Sequence, residues 1–350
     1  MRVRRSYLIL RIRLTAADFR SIIVLMTDRV CRIVVAERLS NRALERLRAV
    51  GEVVELTSCD PDTLRGAVRD CHALIVRTYA DVSAEIIESA AALKVIARAG
   101  VGVENIDTKA AAAAGVTVVH TPAASTEAVA EFTIGLIITL ERRVCWAQEQ
   151  LRQGAFKQAR NQLSSAQLSE MTLGIIGFGR IGQRVAGMAQ RAFGMSILFN
   201  DILPIPHEEG VVSAVSKDEI YAESDVVSLH LPLTPATRGL INAPTLRKMK
   251  STALLINTAR GAVVDATALA AALDAGVIAG AAIDVFDPEP LPPDHPLLSA
   301  PHCILTPHIG SRTASSLASM NDVVDDVIAV LQGREPRYPY RDDLTARSSP

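Results

Sequence analysis

Leu173-Gly174-Ile175-Ile176-Gly177-Phe178-Gly179-Arg180-Ile181-Gly182 is the stretch on which the fold turns. An apolar run enters a G-x-G-x-x-G pattern, a helical stretch follows over Arg180–Arg191, and a second apolar run ends at Asp201, 19 residues after Gly182. A lone G-x-G-x-x-G is weak, because glycines commonly just make turns. A strand before it, a helix opening on it and an acid about 20 residues beyond are the context a dinucleotide site requires. In such a loop Gly177 permits the tight turn, Gly179 lets backbone approach a pyrophosphate, and Gly182 allows helix and strand to touch. The helix N-terminus offers unpaired N–H groups to phosphate. A carboxylate at Asp201 can accept both ribose hydroxyls and repels a 2′-phosphate, so the expected cofactor is NAD rather than NADP.

Outward from this loop the chain alternates short apolar runs with helical stretches. On the C-terminal side the expected strands are Leu173–Ile176, Ser196–Asn200, Val226–Leu229, Ala253–Ile256, Ala281–Val285 and Cys303–Thr306. Six strands with intervening helices match a dinucleotide-binding doubly wound sheet. On the N-terminal side Arg32–Ala36, Val53–Leu56, Ala73–Val76, Lys94–Ala97 and Val116–Val119 read as strands, separated by helical segments. This spacing predicts βαβ crossovers, and the continuous apolar runs predict parallel strands covered on both faces. One long helix is expected over Thr126–Gln153 and a last one over Ser315–Leu331, followed by a polar tail expected to fray.

Composition bounds the function classes. At about 150 residues per domain, 350 residues suggest two domains, and 49% apolar content supplies their cores. Lys plus Arg number 37 against 38 acids, so the whole chain has no electrostatic footprint for nucleic acid. The longest uncharged stretches, Ala110–Thr126 and His295–Ser311, are 17 residues each, too short and too often interrupted by Pro and His to span a membrane. Five dispersed cysteines read as reduced thiols of a cytoplasmic protein, and seven scattered histidines predict no metal site. The first 25 residues carry six arginines against one acid. They suit a transit peptide, an upstream start before Met26, or a disordered extension, and the extension is the preferred reading.

Three residues suit the chemistry of 2-keto acids. Arg260 follows a buried strand, where doubly wound folds place ligands, and a guanidinium there can grip a carboxylate and polarise the adjacent carbonyl. Glu289 lies in Asp287-Pro288-Glu289-Pro290, and His308 lies past the last strand in Thr306-Pro307-His308-Ile309-Gly310. A His paired with a carboxylate can deliver a proton to a developing alkoxide at neutral pH. Each has an ordinary explanation when taken singly: a surface ion pair, a loop charge, a turn histidine. Their joint occurrence beside a dinucleotide loop is what points to an active site.

With these residues in place the chain resembles the D-isomer-specific 2-hydroxy acid dehydrogenases, over about residues 30 to 335. The matching segments include Val76-Arg77-Thr78, Ala97-Arg98-Ala99-Gly100-Val101-Gly102-Val103-Glu104-Asn105-Ile106-Asp107, Ala128-Val129-Ala130-Glu131, Gly177–Gly182 and His230-Leu231-Pro232-Leu233-Thr234. The segments around Arg260, Glu289 and His308 match as well. The resemblance implies two doubly wound α/β domains with a cleft between them. Residues 26–121 and 311–335 would form a flavodoxin-like substrate domain, and 122–310 an inserted Rossmann NAD-binding domain. Residues 1–25 would be an extension and 336–350 a tail. It implies that Arg260 binds substrate, that Glu289 tunes His308 as acid/base, and that Val101 and Gly102 offer N–H groups to the substrate carboxylate. Asp284 would hold the nicotinamide carboxamide, and Arg180, Ile181, Thr258 and Asp201 would line the cofactor.

Two departures touch the substrate side: Glu104 stands where Asp is usual and His120 where Asn is common. The implied activity is an NAD-dependent oxidoreductase acting on a small 2-hydroxy or 2-keto acid, like glyoxylate/hydroxypyruvate reductases or a short phosphoglycerate dehydrogenase. The alternative from another class is an NAD-sensing, corepressor-like interaction protein. The resemblance also implies a homodimer paired through the 126–153 region.

Overall fold

The computed structural model describes residues 31–207 and 212–341; the Arg-rich start lies outside the described residues. Five strands, β1 (Cys31–Val35), β2 (Gly51–Glu55), β3 (Ala73–Val76), β4 (Val95–Arg98) and β5 (Thr117–His120), form one sheet. Its strands are all parallel, in the order β2-β1-β3-β4-β5. Seven more follow: β6 (Thr172–Ile176), β7 (Ser196–Asn200), β8 (Val212–Ala214), β9 (Val226–Leu229), β10 (Leu254–Asn257), β11 (Gly280–Ile283) and β12 (Cys303–Leu305). They form a second parallel sheet ordered β12-β11-β10-β9-β6-β7-β8. The order reverses between β6 and β9, which opens a crevice at the carboxyl ends of the strands, where such sheets bind ligands.

Helices cover both faces of each sheet, so β3, β9, β10 and β11 are buried along their whole length. Helix Thr126–Glu141 lays Ala130, Ile134, Ile137 and Leu140 against Leu173, Ile175 and Ile256 of the second sheet. Near the end of the chain, Met320, Val323, Val324 and Val327 pack on Ile33, Ile75 and Ala97 of the first sheet. The chain thus leaves the first sheet, builds the second and returns.

The expected strands lie within two residues of their observed bounds, but the second sheet has seven strands, not six. The extra one, β8, is a three-residue edge strand, too short to leave a pattern. The helix expected over Thr126–Gln153 is two helices, Thr126–Glu141 and Val144–Arg152. They are broken where Arg143 turns into the left-handed region (φ 48°) and its guanidinium lies 4.4 Å over the Trp146 ring. The last helix likewise divides, at Asp322.

The tail expected to fray is held as far as Tyr340. Asp326 accepts hydrogen bonds from the backbone N–H groups of Arg337 (2.6 Å) and Tyr338 (3.1 Å), and Tyr340 N–H donates to Val118 of β5 (2.7 Å). No described helix is long and apolar enough to cross a membrane, and no group of three potential ligands among the described residues is arranged to hold a metal ion.

Candidate active site

The dinucleotide loop is built by contact. Gly177 has φ +92°, and a Cβ there would stand 2.3 Å from the His230 carbonyl oxygen. A Cβ on Gly182 would strike the Gly177 carbonyl at 2.2 Å, so loop, helix and β9 close on one another. A Cβ on Gly179 meets no described atom within 4 Å, so the loop faces open space there. Gly179 precedes the helix Arg180–Phe193 and has no side chain with which to cap it. The first-turn N–H groups of that helix, beginning at Arg180 and Ile181, therefore face the space in which a pyrophosphate fits.

Asp201 follows β7 and accepts from Phe178 N–H (2.6 Å) and Leu203 N–H (3.0 Å). The loop is thereby tied to the carboxylate that would read the ribose, and ionised carboxylate oxygens keep lone pairs for its hydroxyls. A cradle open only at Gly179, a bare helix N-terminus and an anchored acid together fit NAD. Thr258 extends this wall. The Thr133 hydroxyl donates to Val129 carbonyl (2.8 Å), so Thr258 is the donor in the 3.1 Å contact between the two threonines.

Arg260 leaves the carboxyl end of β10 on a short, clamped turn. Asn257, wholly buried, accepts from Ala259 N–H (3.0 Å) and donates to the Arg260 carbonyl (3.0 Å). A Cβ on Gly261 would lie 2.0 Å from the Phe286 backbone, so only glycine lets this turn press against the segment leading to Glu289. Asn257 and Gly261 were not singled out in the sequence. Their signal was adjacency to Arg260, since a polar residue ending a buried strand needs a partner.

His308 and Glu289 form a couple. His308 Nδ1 donates to a Glu289 oxygen at 2.8 Å, and Phe286 N–H donates to the other oxygen at 2.9 Å. Burial pushes the Glu289 carboxyl up, but the bonds from His308 and Phe286 and the charges of His308 and Arg260 outweigh it and hold it below its ordinary value. Asp284, expected to face the nicotinamide, braces the His308 turn with its carboxylate. It accepts from the Thr306 hydroxyl (2.6 Å), Ile309 N–H (2.9 Å) and Gly310 N–H (2.9 Å), and is 2% exposed.

The opposite wall comes from the first sheet. Past β4 the chain crosses toward Arg260, and Val101 carbonyl accepts from His120 Nδ1 at 2.7 Å. A Cβ on Gly102 would lie 2.1 Å from Arg260 Nη2 and 2.1 Å from a Glu104 oxygen. Glu104 is paired with Arg260 (Nε–O 3.0 Å, Nη2–O 3.3 Å), a residue not placed among the site residues from sequence. Burial raises the Glu104 carboxyl, and the Arg260 charge and hydrogen bonds more than reverse it. The cation is thus turned toward the Val101-Gly102 loop, and its charge also reaches Glu289, the partner of His308.

A model of the NAD-binding domain of D-isomer-specific 2-hydroxyacid dehydrogenases matches residues 134–310. A glyoxylate reductase from Thermofilum pendens is 43% identical over 275 residues, spanning 77% of this chain and 81% of the relative. A D-3-phosphoglycerate dehydrogenase from Methanocaldococcus jannaschii is 39% identical over 306 residues, which is 86% of this chain but only 58% of that longer protein. The crystal structure of the TT0316 protein from Thermus thermophilus superposes with a TM-score of 0.82 at 41% identity, covering 89% of this chain and all of that one.

Proposed function

This chain belongs to the D-isomer-specific 2-hydroxyacid dehydrogenases, and from that premise we propose that it interconverts a small D-2-hydroxy acid and its 2-keto acid of the glyoxylate or hydroxypyruvate kind. As an enzyme it is an NAD-dependent 2-hydroxyacid dehydrogenase. The convergence of Arg260 with the Glu289–His308 couple, opposite the Val101-Gly102 loop, carries the choice of substrate class. The T. pendens relative named glyoxylate reductase supports a short acid.

In the reductive direction the substrate carboxylate lies between Arg260 and the N–H groups of Val101 and Gly102. The guanidinium also leans on the keto oxygen, drawing electron density from the carbon to be reduced. His308, held through Nδ1 by Glu289, presents Nε2 to that oxygen and protonates it as charge develops. Asp284 keeps the histidine turn rigid, and Asn257 does the same for the arginine turn. Bound NADH supplies the hydride. Closure of the two sheets over the site excludes water and strengthens the Arg260 contacts.

The test is oxidation of NADH with glyoxylate, hydroxypyruvate and phosphohydroxypyruvate. We expect turnover of one of the first two, and Arg260→Ala should lower kcat/KM by about a hundredfold to a thousandfold. Near-normal activity in that variant, or turnover of none of the three with NADH binding intact, would overturn the reading. We also infer a homodimer. Helix Val144–Arg152 has no buried residue, Val144 and Leu151 line a groove of 510 Å³, and these two and Phe156 are about half exposed. The five free cysteines support work in a reducing, cytoplasmic setting.

A further inference from the structure

Arg260 is not waiting with open donors. Its Nε and Nη2 are engaged by the two oxygens of Glu104, and its Nη1 donates to the Ala259 carbonyl at 2.7 Å. The Glu104 carboxylate folds back over Gly102, within the same 2.1 Å of an ideal Cβ position as the guanidinium itself. An anion of this chain therefore sits between the cation and the loop, in the seat assigned above to the substrate carboxylate. Two carboxylates cannot share that side-on edge without repelling one another. Arg260 and Glu104 side chains are 31% and 37% exposed, so the pair is wet and weak enough to exchange.

A second cation stands beside the first. Arg98 ends β4, and a Cβ on Gly100 would collide with its guanidinium, so Arg98 and Glu104 flank the single tripeptide Gly100–Gly102. Arg98 forms no ion pair among the described residues. Its Nε is buried with no partner, and the guanidinium makes one hydrogen bond, to the Ala99 carbonyl (3.1 Å). Burial and the neighbouring Arg260 charge push Arg98 down to about 10, so it stays a cation at neutral pH, and the Glu104 charge opposes that fall. Glu104 and Glu37 lend Arg98 opposing charge without an ion-pair contact, so its partly buried guanidinium can still take a carboxylate directly.

We propose that Glu104 is a built-in occupant of the substrate-carboxylate seat on Arg260, that substrate displaces it toward Arg98, and that this exchange sets how tightly the enzyme holds small 2-keto acids. The inference rests on the reading of Arg260 as the carboxylate-binding residue. One methylene more than the Asp usual at this position gives Glu104 the reach to cover the guanidinium. Every substrate must therefore compete with an anion tethered to its own site, and Arg98 lowers the cost of that competition by receiving the loser. Glu104 is a specificity-determining residue here, and Arg98 a positioning one.

The experiment measures KM and kcat for glyoxylate, and oxalate binding to the NADH complex, in Glu104→Gln, Glu104→Asp, Arg98→Met, Glu104→Gln/Arg98→Met and Arg260→Ala. NADH titration reports folding. Glu104→Gln should lower KM and the oxalate dissociation constant about fivefold, the factor a partly exposed ion pair supplies, with a much smaller change in kcat. Glu104→Asp should move both in the same direction, and it serves alone if the glutamine variant does not fold. Arg98→Met should raise KM in the wild-type background and have little effect beside Glu104→Gln, because no displaced carboxylate then needs a partner. A KM that stays level or rises in Glu104→Gln, or additive effects of the two substitutions, overturns the proposal. If Arg260→Ala abolishes turnover while Glu104→Gln fails to tighten oxalate, the exchange is wrong and the reading of Arg260 survives. If Arg260→Ala stays active, that reading itself falls.

Discussion

At the scale of single residues, the site works by occupying the oxygens of its own acids. Asp284 accepts three hydrogen bonds from one turn, Asp201 ties the dinucleotide loop to β7, and Glu289 is braced on both oxygens. Each of these carboxylates holds a backbone segment in place. Glu289 makes the consequence measurable. Its carboxyl sits below the ordinary 4.5 in the folded protein. A lowered folded value means stabilisation that is fully present above the unfolded value and is lost as pH falls through the folded one. The stability gap between wild type and Glu289→Gln, read from urea midpoints, should therefore be widest near neutrality and shrink on acidification below 4.5. A gap that is constant across that range would mean the charge of Glu289 does not act through His308.

At the scale of elements, three glycines in one loop do three different jobs. Gly177→Ala forces a side chain into the left-handed region and against the His230 carbonyl, so it should cost about 2–3 kcal/mol of stability as well as NADH affinity. Gly179→Ala meets open space and ordinary backbone (φ −74°), so the melting temperature should hold while NADH affinity falls. Thermal melts paired with NADH titrations separate the two. Equal loss of stability in both variants would mean that the open space at Gly179 is not the cofactor's. The broken helix belongs to this scale too. The paired charges Arg142-Arg143 interrupt the apolar stripe. The half before them is buried against the second sheet and the half after them carries its apolar residues outward.

At the scale of the molecule, the first-sheet loop over Gly102 reaches the second-sheet turn through the Arg260–Glu104 pair. The outward apolar face around Leu151 is the remaining large-scale feature, and such faces on soluble proteins mark contact with a partner. Leu151→Asp should convert a dimer into a monomer by light scattering, with NADH binding retained. A wild-type protein that already runs as a monomer would refute the dimer.

The amino-acid order alone carried the alternation of strands and helices, the dinucleotide loop with its acid 19 residues on, and the three residues Arg260, Glu289 and His308. These signals are local: apolar periodicity, glycine spacing and residue type after a strand are written along the chain. What only the folded molecule decided depends on residues far apart in sequence. Glu104 and Arg260 are 156 positions apart, Asp284 reaches Gly310 across 26, and the last strap reaches β5 from the far end of the chain. No periodicity encodes which acid faces which cation across a cleft. That choice follows from the shape of two sheets brought together, which sets the Glu104 carboxylate on Arg260.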